Sequence, residues 1–114
     1  MHEVGIIHNL LQMTNDIALK QKANRVLKLH LRVGSMSGVV PEALLFAFDA
    51  MRKNTIASEA NLEIEIVQAL CWCNNCNIEY APEDDFDFLC PKCGGGNVKL
   101  IKGKELDLVS IDFC

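Results

Sequence analysis

Cys73-Asn74-Asn75-Cys76 and Cys90-Pro91-Lys92-Cys93 are two C-x-x-C pairs with thirteen residues between them. Each pair sets two thiolates on one tight turn. Two such turns brought together present four sulfurs as a tetrahedron, the closed geometry of structural zinc. Asn77 and Gly94 follow the second cysteine of each pair, and both residue types tolerate the left-handed backbone such a turn often needs. One redox pair would not need the other, so the spacing points to a metal rather than to free thiols. A closed four-thiolate site leaves no open position, which assigns it to structure and not to catalysis. A lobe running from 71 to 97 has too little core to fold alone, so its metal is part of its folding energy.

The flanking sequence divides cleanly. Residues 3 to 22 read as an amphipathic helix, with Val4, Ile7, Leu11, Ile17 and Ala18 near helical spacing. Residues 25 to 33 alternate as a half-buried strand: Leu27, Leu29, Leu31 and Val33 share one face, and Val26, Lys28, His30 and Arg32 the other. Gly34 to Gly38 is a loop. Pro41 starts a second helix over 41 to 53, where its missing N–H costs nothing, with Leu44, Leu45, Phe48 and Met51 inward. A second strand spans 61 to 69. A third spans 104 to 112, its alternation slipping between Leu108 and Val109, where a bulge or an early end is expected. A lone terminal strand cannot bury its apolar face by itself, so it must pair with the earlier strands. The cysteine lobe is then an insertion. The expected fold is α+β: two helices packed on a small three-stranded sheet, with an inserted four-cysteine zinc-ribbon lobe.

The bulk numbers agree with a small globular protein. The chain has 114 residues, half of them apolar and 23% charged, with a formal net charge of −4. Six cysteines without an export signal suggest metal ligation in a reducing, cytoplasmic setting rather than a disulfide framework. No run approaches the roughly 18 apolar residues of a membrane span. Zinc ribbons also bind nucleic acid, which makes an interaction module in transcription or translation the alternative function. The loop argues against it: Glu79, Glu83, Asp84, Asp85 and Asp87 lie between the outer ligands, against Lys92 alone, and such a surface repels phosphate. Trp72, Tyr80, Phe86 and Phe88 then read as a mini-core rather than a stacking platform. A metal-dependent hydrolase would need an open metal position beside a general base, and only His2-Glu3 offers one in a chain with three histidines. Cys71 breaks the two-residue spacing, and Cys114 is the last residue; neither needs a function.

The start of the chain, Met1-His2-Glu3, has its own chemistry. A free amine, the amide nitrogen of His2 and its imidazole close two small chelate rings on one metal. Nitrogen-rich planar sets suit nickel(II) and copper(II). The amide nitrogen or the carboxylate of Glu3 is the candidate fourth donor. On chemistry alone the motif is of low specificity, since histidine is often second by chance. His8, two helical turns from the start, reads as a surface or half-buried residue ahead of a ligand to that site, His30 as solvated on the polar face of its strand, and Glu42 as a first-turn carboxylate favouring the helix dipole.

Taken together, these residues resemble the HypA/HybF family of hydrogenase maturation factors. The likeness rests on Met1-His2-Glu3, the first helix, and the Gly34, Ser37-Gly38 and Pro41-Glu42 joint leading into Leu44-Leu45-Phe46-Ala47-Phe48. It rests also on the two C-x-x-C pairs and on Gly103-Lys104-Glu105-Leu106 running toward Ser110-Ile111. The resemblance implies a nickel-binding α/β domain over 1–70, a zinc lobe over 71–97, and a return strand over 98–114 that completes the first domain. It implies nickel at His2 with Glu3 close by, and zinc at Cys73, Cys76, Cys90 and Cys93. It also implies a protein without catalysis that passes nickel to the large subunit of [NiFe]-hydrogenase with a partner GTPase, HypB. Some relatives serve urease. A monomer and a strand-exchanged homodimer are both compatible with the long excursion before the final strand. One departure stands out. Some members carry an aspartate in the loop before the second helix, whereas this chain has Val39-Val40-Pro41 and no carboxylate until Glu42.

Overall fold

The computed structural model describes residues 2–82 and 88–114, with His2 described by its backbone alone. The acidic run Glu83, Asp84, Asp85 and Asp87, and Phe86 with it, lies outside the described residues.

The first helix, α1, spans His2–Gln21. It ends because Lys22 turns left-handed, at φ 56°. Ala23 N–H then reaches back to Ala18 O at 2.9 Å and Lys22 N–H to Leu19 O at 3.3 Å, which satisfies carbonyls the helix end would otherwise orphan. Its buried face is Ile7, Leu10, Thr14 and Ala18. Val4, expected inward, is half exposed at the surface. Thr14 is fully buried, and its hydroxyl has no hydrogen-bond partner among the described residues. The second helix, α2, spans Pro41–Met51 with Pro41 in its first turn. Leu44, Ala47 and Phe48 are its buried side chains. Leu45 is exposed, because the inward stripe repeats at three and four residues and Ala47 takes that place. Arg52 closes the helix by donating its N–H to Phe48 O.

Among the described residues the strands are β1 (Val26–Gly34), β2 (Asn61–Val67), β3 (Leu70–Cys73), β4 (Ile78–Tyr80), β5 (Val98–Lys102) and β6 (Leu106–Phe113). They form two three-stranded sheets, in the orders β2-β1-β6 and β4-β3-β5. The terminal strand thus pairs with β1, as its apolar face required, and β3 to β5 are inserted between β2 and β6. The strand β6 does not end early. Its half-buried positions, Leu108, Ile111 and Phe113, record the slip in alternation.

In β1, Leu29, Leu31 and Val33 are buried on one face as expected, but the first turn of the pattern is inverted. Val26 is fully buried and Leu27 is 43% exposed. The Val26 N–H is taken by Ile56 O at 3.0 Å, so the strand enters under the turns that follow α2. On the other face a ladder of ions joins β1 to β2: Lys28 to Glu63 and His30 to Glu65, both at 3.3 Å, and Arg32 to Glu65 at 3.6 Å.

The chain divides into two compact units. The first comprises Met1–Arg32, Val39–Glu65 and Asp107–Cys114; the second comprises Val33–Gly38 and Ile66–Leu106. In the first unit α1 and α2 contact each other, and its buried side chains come from both helices, from β1 and from Ala57 and Ala60 in the turns after α2. The second unit is wider than the 71–97 lobe, because β5 joins β3 and the turn after β1 belongs with them. That turn is tightly held. Gly34 N–H donates to Glu105 O and Met36 N–H to Gly103 O, each at 2.7 Å. Ala69 N–H donates to Ser35 Oγ at 2.9 Å. The backbones approach so closely that a Cβ at Gly34 would lie 2.0 Å from Gly103 O.

Candidate metal centre

The strand β3 delivers Cys73 at its end, with Cys71 and Cys73 buried on one face and Trp72 on the other. Asn74 and Asn75 form the first turn. Asn77 then adopts φ 57°, and its N–H returns to Cys73 O at 2.8 Å. The second turn repeats this construction: Gly94 has φ 70° and donates its N–H to Cys90 O at 2.8 Å. The left-handed residue after each pair lets the chain fold back over its own sulfurs. Main-chain N–H groups then point at thiols: Cys76 N–H to Cys73 Sγ and Gly95 N–H to Cys93 Sγ, both at 3.4 Å. Asn97 ties the first turn to the approach of β5, accepting from Asn74 Nδ2 at 3.2 Å and donating to Asn75 Oδ1 at 3.4 Å.

The four sulfurs of Cys73, Cys76, Cys90 and Cys93 lie within 4.8 Å of one another. Cys73 and Cys93 are 3.7 Å apart, and Cys76 and Cys90 are 4.0 Å apart. A tetrahedral ion about 2.3 Å from each thiolate needs sulfurs roughly 3.8 Å apart. The residues present therefore fit a closed four-thiolate metal. Cys73 and Cys90 are buried, whereas Cys93 is exposed. The thiols do not share one acidity. Main-chain N–H from Cys93, and next from Lys92, holds Cys90 down at about 7, against the opposing effect of burial. Hydrogen bonding to Cys93 and burial push Cys76 up to about 12. Crowded thiolates cannot all ionise without a cation among them.

Around the cluster, Cys71, Cys73, Tyr80 and Cys90 form the buried core, with Ile78, Phe88, Val98 and Leu100 packed against it. Tyr80 donates its hydroxyl to Phe88 O, and burial pushes its pKa above the usual phenol range. Tyr80 and Phe88 thus belong to a mini-core, as the charge argument favoured. Trp72 does not join them. It stands on the opposite face of β3, in register with Glu79 on β4 and Lys99 on β5. Cys71 is buried core outside the sulfur cluster, and Cys114 is exposed.

The family described as "Hydrogenase/urease nickel incorporation, metallochaperone, hypA" matches residues 1–113. The chain belongs to the HypA family. It is 40% identical to the hydrogenase maturation factor HypA of Picosynechococcus over 112 residues, covering 98% of each chain. It is 38% identical to that of Roseiflexus, covering 99% of this chain and 92% of the relative. The fold is shared with the solution structure of the nickel metallochaperone HypA from Helicobacter pylori, at TM-score 0.67 and 23% identity over 97% of this chain and 96% of that one. A second solution structure of a HypA protein superposes with TM-score 0.73 at 23% identity, over 100% of this chain and 97% of that chain. HypA proteins are hydrogenase maturation factors of a nickel-incorporating family, and this chain carries a four-cysteine group able to hold zinc.

The other expected metal site stands at the opposite end of the sequence. The side chain of His2, and all of Met1, lie outside the described residues. Glu3 is described: it is half-buried in the first turn of α1, and its carboxylate Oε2 accepts the N–H of Val40 at 3.2 Å. His8 and Glu42 are exposed. His30 is half-buried beside Glu65. Among the described residues the four cysteines are the one group of three or more metal-ligating side chains brought together, and no helix is long and apolar enough to cross a membrane. The sequence reading missed the Glu3–Val40 contact. Its signal was present but indirect: a carboxylate in one helix start and an apolar N-cap in the other.

Proposed function

We propose that this chain is a cytoplasmic metallochaperone that holds two metals by different chemistry and gives up one. Zinc sits among Cys73, Cys76, Cys90 and Cys93 and stays there. Nickel(II) is cargo. With Met1 as the first residue, its amine, the main-chain nitrogen and imidazole of His2, and the main-chain nitrogen of Glu3 make a nitrogen-rich planar set, which suits nickel(II). The ion is delivered to the large subunit of [NiFe]-hydrogenase with a GTPase partner of the HypB type. The observation that carries this reading is the nickel-incorporation family match, which begins at residue 1 and so takes in His2 and Glu3. The division of labour has a physical basis. A chelate at a chain end is dismantled by moving one short segment, whereas four sulfurs fixed by two turns and a sheet come apart only when the lobe does.

Titrating nickel into zinc-loaded protein that starts at Met1 tests the assignment. His2→Ala should weaken binding by more than the roughly 10–100-fold that loss of a mere supporting contact costs. A tag ahead of Met1 should weaken it likewise. Equal affinity in all three proteins would refute the terminal site. For delivery, nickel transfer to metal-free hydrogenase large subunit should accelerate when the GTPase and GTP are added; transfer at the rate of free nickel sinks that part.

A further inference from the structure

The helix α2 begins where its own sequence cannot close it. Its N-cap is Val40, at φ −93° and ψ 115°, with no side-chain oxygen to offer. The next residue, Pro41, has no N–H. The Val40 carbonyl already serves as acceptor for Ala43 N–H and Leu44 N–H, both at 3.1 Å. Apolar residues are poor N-caps because the first donors of a helix need an acceptor. Here the acceptor at the N-cap comes from the other end of the unit: Glu3 Oε2 takes the Val40 N–H at 3.2 Å, across 37 residues of sequence.

The same carboxylate belongs to the first turn of α1. It therefore stands at the positive ends of two helices that contact each other. Two such ends close together repel, and one negative group between them is favourable to both. Moving Oε2 onto a metal ion would take that acceptor from Val40 and leave Glu42 as the one carboxylate in the first turn of α2. Fixing Glu3 also fixes the peptide that joins it to His2, one of the proposed nitrogen donors.

We propose that Glu3 is a positioning residue: its carboxylate pins the first turn of α1 to the N-cap of α2 and so presets the terminal chelate, without itself becoming an oxygen ligand of nickel. This deepens the reading of nickel at His2 and rests on it. The loop before α2 offers no carboxylate of its own. It offers a main-chain N–H instead, and the chelating segment is held by that.

The test uses zinc-loaded full chain beginning at Met1, with Glu3→Gln and Glu3→Ala. Three quantities are read: the ligand-field spectrum of the nickel complex, nickel affinity, and hydrogen exchange of the Val40 amide without nickel. A glutamine amide oxygen still accepts from Val40 N–H. Glu3→Gln should keep Val40 protected, keep affinity within a few-fold, and leave the spectrum unchanged. Glu3→Ala should expose the Val40 amide and weaken nickel about tenfold, as loss of a supporting contact does, again with an unchanged spectrum. A changed spectrum in Glu3→Gln makes the carboxylate a ligand and overturns the proposal. Unchanged Val40 exchange in Glu3→Ala overturns it too. Should Glu3→Ala fail to fold, the glutamine variant decides alone, by its spectrum and Val40 protection together. The failure of the underlying reading looks different: His2→Ala would then bind nickel like the parent, while Val40 exchange still reports whether the pin exists.

Discussion

The unit built on α1, α2 and β1 buries Ile7, Leu29, Leu44 and Ala57 to 0% exposure. In the other unit, the buried cluster around the four sulfurs is Cys71, Cys73, Cys90 and Tyr80, three cysteines and one aromatic ring. The first unit excludes water with aliphatic area gathered from distant parts of the chain. The second has short strands, tight turns and little aliphatic area, and its order depends on sulfur brought within 4.8 Å. The contrast teaches where each unit is vulnerable. One should yield gradually to loss of side-chain volume, the other abruptly to loss of one ion.

The largest effect should come from removing the metal. Binding of structural zinc by small peptides supplies an apparent 10–16 kcal/mol, about the whole stability of a small domain. Stripping zinc with a strong chelator, or making Cys90→Ser, should therefore abolish amide protection across β3, β4 and β5. Protection at Leu29 and Leu44 should remain. Residue-resolved hydrogen exchange checks this, and uniform loss across both units would erase the distinction. Next comes Leu44→Ala, at a position with 0% exposure. It should cost about 2–5 kcal/mol in denaturant unfolding of the first unit, with zinc content still one per chain. Zinc lost in parallel would mean that the two units do not fail separately.

Gly103→Ala sharpens the comparison from the other side. Gly103 sits at φ +128°, and a Cβ there would lie 2.7 Å from the Ala69 Cα. Strain of this kind costs about 1–3 kcal/mol, and it should appear as faster zinc loss to a competing chelator rather than as a lower midpoint for the first unit. The smallest effect belongs to the ion ladder. Lys28 and Glu63 are 3.3 Å apart and both well exposed, so Lys28→Ala should change stability by less than about 1 kcal/mol and leave zinc binding unchanged. A larger loss would make the ladder part of the core argument.

Much of this was legible in order of residues alone. The helices at 2–21 and 41–51 follow from apolar spacing and from Pro41. The left-handed turns at Asn77 and Gly94 follow from residue type. What escaped was the second sheet. The strands β3, β4 and β5 have four, three and five residues. Runs that short, rich in cysteine and mixed polarity, carry too little alternation to stand out. The inward place of Ala47 and the outward place of Leu45 were hidden for a different reason: both are apolar, and only the packing of α2 tells them apart.

The sequence by itself determined that the four cysteines come together, because residue type and the two-residue spacing constrain the turns locally. It also determined that the last strand must return to the first, since an apolar strand face cannot stay unpaired. Only the tertiary structure decided that Trp72 faces away from the mini-core, that Gly34 and Gly103 cross in contact, and that Glu3 holds Val40. Those depend on which distant segments the folded chain brings together, and a hydrogen bond across 37 residues leaves no periodic trace in the residues that make it.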